Sequence, residues 1–372
     1  MSAWSKHYLT RAKYFLCFGF ALTSAGPANC ETLPVPQSYS QRLSEANPAV
    51  KSRIAALEER SKKEKWRFRP VYTSALDRSI KRLGRAGRGP SREAALAIQS
   101  FSNEALALYD AERTRLKLSK RPPLCNPKSR AFDFLQAGKV SAVEDQGDCG
   151  SCWAFASAAV LESAYLIENS FPVHGSEQHL LNCTQGGDCD TGYLLDAFDL
   201  LAKAGTSHAT DEPYTGVKAA SCSSTQKTPL TLVAYSMIDP DWEKIVDPAS
   251  IKQAMCTHGP VATRMIITES FLAYGGDDVF HQVDPGLTVN DEDAHFVTII
   301  GWDEGKGEHG AWLIKNSWGP WWGKDGFAWI EYGANLIGHM PTWAKAKRDE
   351  IVLGPEFEKL RAKYKAAIKR PE

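Results

Sequence analysis

Gln146-Gly147-Asp148-Cys149-Gly150-Ser151-Cys152-Trp153-Ala154-Phe155 is the stretch on which the reading of this chain turns. From Cys152 to Asn169 the residues are rich in Ala, Leu and Glu and hold no Gly or Pro, so a helix is predicted to begin at Cys152. A cysteine is a strong nucleophile only as thiolate, and the partial positive charge at a helix start favours that anion. The remaining chemistry needs a histidine to share the thiol proton and later protonate a leaving amine. It also needs a carboxamide or carboxylate to hold that histidine. His295 lies 143 residues after Cys152 and Asn316 lies 164 after it. Two other readings use the same cysteines. Cys149-x-x-Cys152 is spaced like a redox pair, although the Gln before it and the Trp-Ala-Phe after it argue otherwise. Cys149, Cys152, Cys183 and Cys189 could ligate a metal, but their spacing matches no common zinc site. His174, His179, His208, His258, His281, His309 and His339 read as surface or loop residues, and Trp312, Trp321 and Trp329 as packing residues.

Cys149-Gly150-Ser151-Cys152-Trp153, with a His and an Asn at those distances, resembles the papain and cathepsin family of cysteine proteases. Four further blocks occur in the family's order: Asp145-Gln146-Gly147; Ser176-Glu177-Gln178-His179-Leu180-Leu181-Asn182-Cys183; Ala294-His295-Phe296-Val297; and Lys315-Asn316-Ser317-Trp318-Gly319 followed by Trp322-Gly323. The resemblance covers residues 129–343, about 58% of the chain. It implies Cys152 as nucleophile, His295 as general base and acid, Asn316 orienting His295, and Trp318 shielding that hydrogen bond. Gln146 and the Cys152 backbone N–H would form the oxyanion hole. Gly192, Tyr193 and Ala294 would contact substrate, and Trp322 would flank the leaving-group side. The family has two adjacent glycines where this chain has Thr191-Gly192, which puts close backbone approach at Thr191 in question.

The resemblance also implies disulfides Cys149–Cys189 and Cys183–Cys222. It leaves Cys30, Cys125 and Cys256 unassigned, and the family's bridge near the histidine has no counterpart at residues 335–338. The usual propeptide pattern does not lie convincingly on residues 31–125. The occluding loop of carboxydipeptidase relatives is absent between Cys189 and Cys222, so an open cleft and endopeptidase action are expected. In Gly259-Pro260-Val261-Ala262-Thr263-Arg264, Arg264 falls where the family usually lines its second substrate pocket with a small residue. Strand alternation lets it face that pocket, where it would tolerate an acidic side chain, or else turn to solvent or an acidic loop.

Around this core the chain divides by charge. Its 44 Lys and Arg balance 44 Asp and Glu. Residues 31–125 nonetheless carry +10, residues 126–344 carry −17 and residues 345–372 carry +4. Lys6, Arg11 and Lys13, then an apolar stretch at 14–23, then small residues to Ala28, follow the order of a secretory signal peptide. Four units are expected: a signal peptide at 1–28, with Cys17 in it; a basic, helical propeptide-like segment at 29–125; the catalytic domain at 126–344; and a basic amphipathic tail at 345–372. Helices are predicted after Asn47-Pro48 and after Pro90-Ser91. Gly84, Gly87 and Gly89 break the pattern between them, and Phe357, Leu360, Tyr364 and Ile368 form one face of a tail helix.

Strands are predicted at 261–267, 296–300, 311–315 and 327–332. Helices first and strands later suggest an α+β unit of two subdomains with a cleft between them, and the resemblance implies the papain-like form of it, one subdomain helical and one antiparallel β. The composition, 43% hydrophobic and 24% charged, excludes a disordered, collagenous or coiled-coil chain. No apolar run reaches the ~18 residues of a membrane span. The expected function is a secreted cysteine endopeptidase made as a zymogen. Its compartment would be extracellular, periplasmic or acidic, and it would use no cofactor, metal or nucleic acid. Its partners would be peptide or protein substrates and its own basic segment as inhibitor. Electrostatic attraction would hold that segment over the cleft, with processing in the exposed linker 117–130. A ligase or transpeptidase on the same fold, and a binding protein with an idle site, are the competing functions.

Overall fold

The computed structural model describes residues 38–222 and 229–368; the expected signal peptide, with Cys17, and Cys30 lie outside them. The basic segment is helical, as its pattern predicts. It holds α1 (Tyr39–Glu45), α2 (Pro48–Glu64), α3 (Ile80–Leu83) and α4 (Arg92–Arg115). Asn47 caps α2 by accepting from Val50 N at 3.0 Å, and Ser91 caps α4 by accepting from Ala94 N at 3.2 Å. The acidic region follows with β1 (Ala131–Asp133), α5 (Cys152–Asn169), α6 (Glu177–Cys183) and α7 (Leu194–Lys203). Then come β2 (Leu232–Met237), α8 (Pro248–His258), β3 (Val261–Ile266), α9 (Glu269–Leu272), β4 (Val279–Phe280), β5 (Ala294–Asp303), β6 (Ala311–Lys315), β7 (Phe327–Glu331) and β8 (His339–Ala346). The tail forms α10 (Pro355–Ile368). No helix among the described residues is long and apolar enough to cross a membrane.

The helix α5 is buried on nearly every side, which accounts for its apolar residues all round rather than a stripe. It packs between α6 and α7 on one side and β5 and β8 on the other. The sheet runs β2-β8-β3-β5-β6-β7-β4, with β1 added to β5. It is antiparallel as expected except for one correction: β4 pairs β7 in parallel, through Val279–Trp329 and Phe280–Ile330. In register, His295 lies opposite Met265, and Arg264 lies opposite Phe296 on one side and His339 on the other. The two implied disulfides are present, and a third joins Cys125 to Cys256.

The basic segment lies on the acidic one. Phe68 packs against Tyr274 and Phe280, and Val71 N donates to Ala273 O at 2.8 Å. Six arginines before residue 91 pair with carboxylates beyond residue 126: Arg53 with Glu269, Arg60 with Asp284, Arg67 with Glu331, Arg78 with Asp145, Arg82 with Asp190 and Arg85 with Glu292. Six ion pairs thus link the two oppositely charged regions.

Candidate active site

Cys152 is the first residue of α5, and its thiol points into the groove between the helices and β5. It is fully buried, and burial pushes its pKa up to about 12. The first residues of β5 hold Ala294 and His295 at the same groove. His295 is also fully buried, and desolvation pushes its pKa down to about 4. At neutral pH both groups are therefore uncharged.

Asn316 follows the end of β6. Its Oδ1 lies 2.7 Å from His295 Nε2 and accepts from Ser317 N at 2.8 Å. The Trp318 ring lies 4.7 Å from the His295 ring and is fully buried, so it covers the His295–Asn316 pair. Gln146 Nε2 donates to Cys149 O at 2.9 Å, and Gln146 Oε1 accepts from Ser317 Oγ at 2.7 Å. Gln146, His295 and Asn316 are joined through Ser317 and the Leu83 carbonyl, and the Cys152 thiol lies at the backbone of Phe296, the residue after His295.

The groove is filled by the chain's own basic segment. The carbonyl of Leu83 lies 2.9 Å from His295 Nδ1 and 3.4 Å from Gln146 Nε2. It occupies the space between the base and the oxyanion donor. A neutral imidazole has one N–H and can serve only one of the two oxygens it faces. The covered histidine is therefore short of one hydrogen bond, and departure of Leu83 removes that deficit. Beyond Leu83 the segment continues as backbone pairing. Ala86 N donates to Ala294 O at 2.8 Å, Gly87 N donates to Gly192 O at 2.8 Å, and Ala86 and Gly192 form a parallel bridge. A Cβ on Gly87 would stand 2.8 Å from Gly192 O, and one on Gly84 3.1 Å from Ala294 O, so these glycines permit the close approach.

The doubt over Thr191 is resolved by its hydroxyl. Thr191 Oγ1 donates to Arg85 O at 3.2 Å, so the side chain adds a contact instead of blocking one. Tyr193 stands beside Gly87. Trp322 does not present an open wall. It is fully buried, its Nε1 donates to Phe271 O at 3.0 Å, and its ring backs Trp318 at 5.2 Å.

Arg264 is 1% exposed, which excludes a turn to solvent. Its Nη2 donates to the backbone carbonyl of Asp291 at 3.2 Å, while Nε and Nη1 are buried without a partner. Its guanidinium sits 6.0 Å from the Trp242 ring centre, and Trp242 in turn touches Gly89 of the threaded segment. Burial and the neighbouring Arg88 hold its pKa down at about 10.

Several features lay beyond sequence reasoning. Leu83 acts through its carbonyl, which no side-chain pattern reveals. Arg78 grips Asp145 with two hydrogen bonds of 2.8 Å, next to Gln146. Beneath the site, Glu162, Glu177 and Lys315 form a buried charge cluster. Burial pushes the Glu177 pKa well up and the Lys315 pKa down. His179 and His339 are buried rather than on the surface; His179 lies 3.2 Å from Cys183 Sγ, where it serves packing.

The family description "Papain family cysteine protease" matches residues 128–345. A "Cysteine protease" of the mite Blomia tropicalis is 31% identical over 219 residues, which are 56% of this chain and 62% of that relative. A "Cathepsin L-like proteinase" of Phaedon cochleariae is 31% identical over 62% of this chain and 72% of the relative. The chain thus spans less than two thirds of the mite relative's length. Among solved structures, digestive procathepsin L2 of Tenebrio molitor aligns with TM-score 0.50 and 29% identity over 63% of this chain and 72% of that one. A ragweed pollen allergen cysteine protease in its proform aligns with TM-score 0.61 and 22% identity, over 83% of this chain and 92% of that one, and so shares the fold.

Proposed function

Because the chain belongs to the papain family of cysteine proteases, we propose that it is a cysteine endopeptidase made as a zymogen and held inactive by the residues preceding Ser91. The observation that supports this most is the Leu83 carbonyl, 2.9 Å from His295 Nδ1, in a groove where Cys152 and His295 have no exposed surface. Three disulfides support export to an oxidising compartment, as the basic-apolar-small order of the first 28 residues does. The compartment would be extracellular, periplasmic or acidic.

Once residues 83–90 leave, water and substrate reach the pair. The Cys152 thiol passes its proton to His295 Nδ1, and Asn316 keeps the ring aligned through Nε2. The thiolate attacks the substrate carbonyl carbon. Gln146 Nε2 and the Cys152 N–H receive the negative charge that develops on the carbonyl oxygen. The ring gives its proton to the leaving amine as the C–N bond breaks, which leaves a thioester. Water then attacks the thioester with His295 as base, the C–S bond breaks, and thiol and carboxylate are restored. Gly192 O and Ala294 O, which now accept from Gly87 N and Ala86 N, are free to accept from substrate amides. Arg264, with two unserved guanidinium nitrogens, favours an acidic or strongly polar side chain in the pocket beside Phe296.

The test compares processed wild-type protein with Cys152→Ala and Asn316→Ala on long peptides, with and without an added amine nucleophile. Internal cleavage lost in Cys152→Ala and weakened in Asn316→Ala is the expected result. Release of C-terminal dipeptides alone, or capture of the amine in place of hydrolysis, would replace the endopeptidase reading.

A further inference from the structure

Of the helices outside the family-matched residues, α4 before them and α10 after them pack on each other. The rings of Phe101 and Tyr364 meet at 6.2 Å, Lys363 pairs with Glu104 at 2.7 Å, and Tyr364 OH donates to Glu104 at 2.6 Å. Phe357 and Leu360 of α10 are buried. The other side of α4 is built into the sheet. Ser102 Oγ donates to Tyr235 O and accepts from Tyr235 N at 3.3 Å, and Gln99 Nε2 donates to Met237 O at 3.3 Å. Tyr235 and Met237 belong to β2, the terminal strand of the sheet, so α4 serves backbone groups that an edge strand otherwise leaves to water. The far end of α4 is tied down as well. Arg348 N donates to Tyr109 OH at 3.0 Å, Leu124 N donates to Cys256 O at 2.9 Å, and Cys125 is bonded to Cys256. The contacts on His295, Gln146, Gly192 and Ala294 described above all come from residues 83–87, before α4 begins.

We propose that α4 is a permanent part of the active protein, clamped by β2, α10 and the Cys125–Cys256 bridge, and that the cleavage freeing the groove falls within residues 84–91. This rests on the inhibitory reading of the preceding residues given above. The cleavage is a peptide-bond hydrolysis in which water supplies the hydroxyl of the new carboxylate and the proton of the new amine. Arg88 is exposed and Arg85 partly so, which gives a protease a foothold in that stretch. The linker after α4 is exposed too, but a cut there alone leaves the groove covered, because residues 83–90 remain continuous with an anchored helix. Departure of α4 with the inhibitor would strip the Tyr235 backbone N–H and C=O of the Ser102 hydroxyl that serves both, and bare the apolar face of α10.

The experiment takes the full-length chain through limited trypsin digestion at mildly alkaline pH, where trypsin's catalytic histidine is neutral. The folded particle is isolated under native conditions. Its peptides are weighed before and after reduction, and Cys152 is titrated with a thiol-directed peptidyl epoxide. Residues 92–115 are expected in the particle, either continuous with the catalytic region or as a retained peptide, with a new N-terminus between 84 and 92. A folded particle with reactive Cys152 that has lost residues 92–115 overturns the proposal. A particle that keeps them but has unreactive Cys152 upholds the place of α4 and contradicts the peptidase reading. As a second measure, Leu360→Asp is expected to lower the melting temperature of the processed particle and expose residues 92–115 to digestion. An unchanged melting temperature counts against the clamp.

Discussion

Replacing Arg78 by Ala in the full-length chain removes a two-pronged grip on Asp145, with both bonds at 2.8 Å, between the inhibitory segment and the residue preceding Gln146. The pair is partly withdrawn from water, with side chains 16% and 28% exposed, so it outweighs the rim pairs Arg82–Asp190 at 3.5 Å and Arg85–Glu292 at 3.9 Å. A charge-assisted hydrogen bond contributes about 1.5–3 kcal/mol, and a planar fork matched to a carboxylate lies toward the stronger end. Residual exposure and salt reduce this, so about 1.5 kcal/mol is the working figure, or roughly a tenfold rise in the open population. The assay is the rate at which a thiol-directed epoxide alkylates Cys152 in unprocessed protein at pH 7. Arg78→Ala is expected to react roughly tenfold faster. Arg78→Lys, which keeps charge but loses the fork, should fall between it and wild type. Added salt should accelerate wild type more than Arg78→Ala. An unchanged rate in a folded Arg78→Ala protein would refute the claim that this pair holds the segment closed.

Burial pushes the His295 pKa down to about 4, whereas an exposed imidazole titrates at about 6.5. In full-length Cys152→Ala no thiol shares the proton, so the open form binds more protons between those values. Closure is then fully present above about pH 6.5 and weakens as pH falls toward 4, by about 3 kcal/mol at the limit. Amide exchange across residues 83–89 measures this, and flat protection from pH 7 to 4.5 would contradict it. Gly87→Ala drives a methyl toward the Tyr193 ring and Gly192 O, so it should weaken closure by about 1–3 kcal/mol and speed alkylation of Cys152. Arg264→Ala in the processed protein should shift the preference at the second residue before the cleaved bond from acidic toward apolar, by roughly tenfold in selectivity. A peptide library showing the same preference in both proteins would remove Arg264 from substrate recognition.

Much of the site could be read from residue types because its chemistry resides in side chains at fixed spacings. The motif blocks named His295, Asn316 and Gln146, which one hydrogen-bond network joins through Ser317, and α5 begins at Cys152 and ends where the absence of Gly and Pro places it. The cover over the site was less legible because it works through the backbone. Gly84, Gly87 and Gly89 read as helix breakers, whereas two of them thread past the carbonyls of Ala294 and Gly192 and the third passes Trp242. Periodicity identified the apolar face of α10 but could not name what covers it; the partner is α4, more than two hundred residues earlier. Cys125–Cys256 spans 131 residues and has no counterpart in the family pattern, so neither spacing nor resemblance could pair it. The parallel β4–β7 contact involves two residues of β4, too few for an alternation signal. Arg264 was ambiguous because a strand residue faces either side according to register, and only the pairing with Phe296 and His339 decides it.

Cys152 as a nucleophile that residues 83–90 keep covered is the central claim. Stoichiometric labelling by a thiol-directed peptidyl epoxide, with the modified residue located by peptide mass before and after removal of the inhibitory segment, tests this directly. Little or no labelling of the full-length chain is expected at neutral pH, and one label per chain, on Cys152, once the segment is released. Equal labelling of both forms, or a released form whose Cys152 stays unmodified, would contradict it.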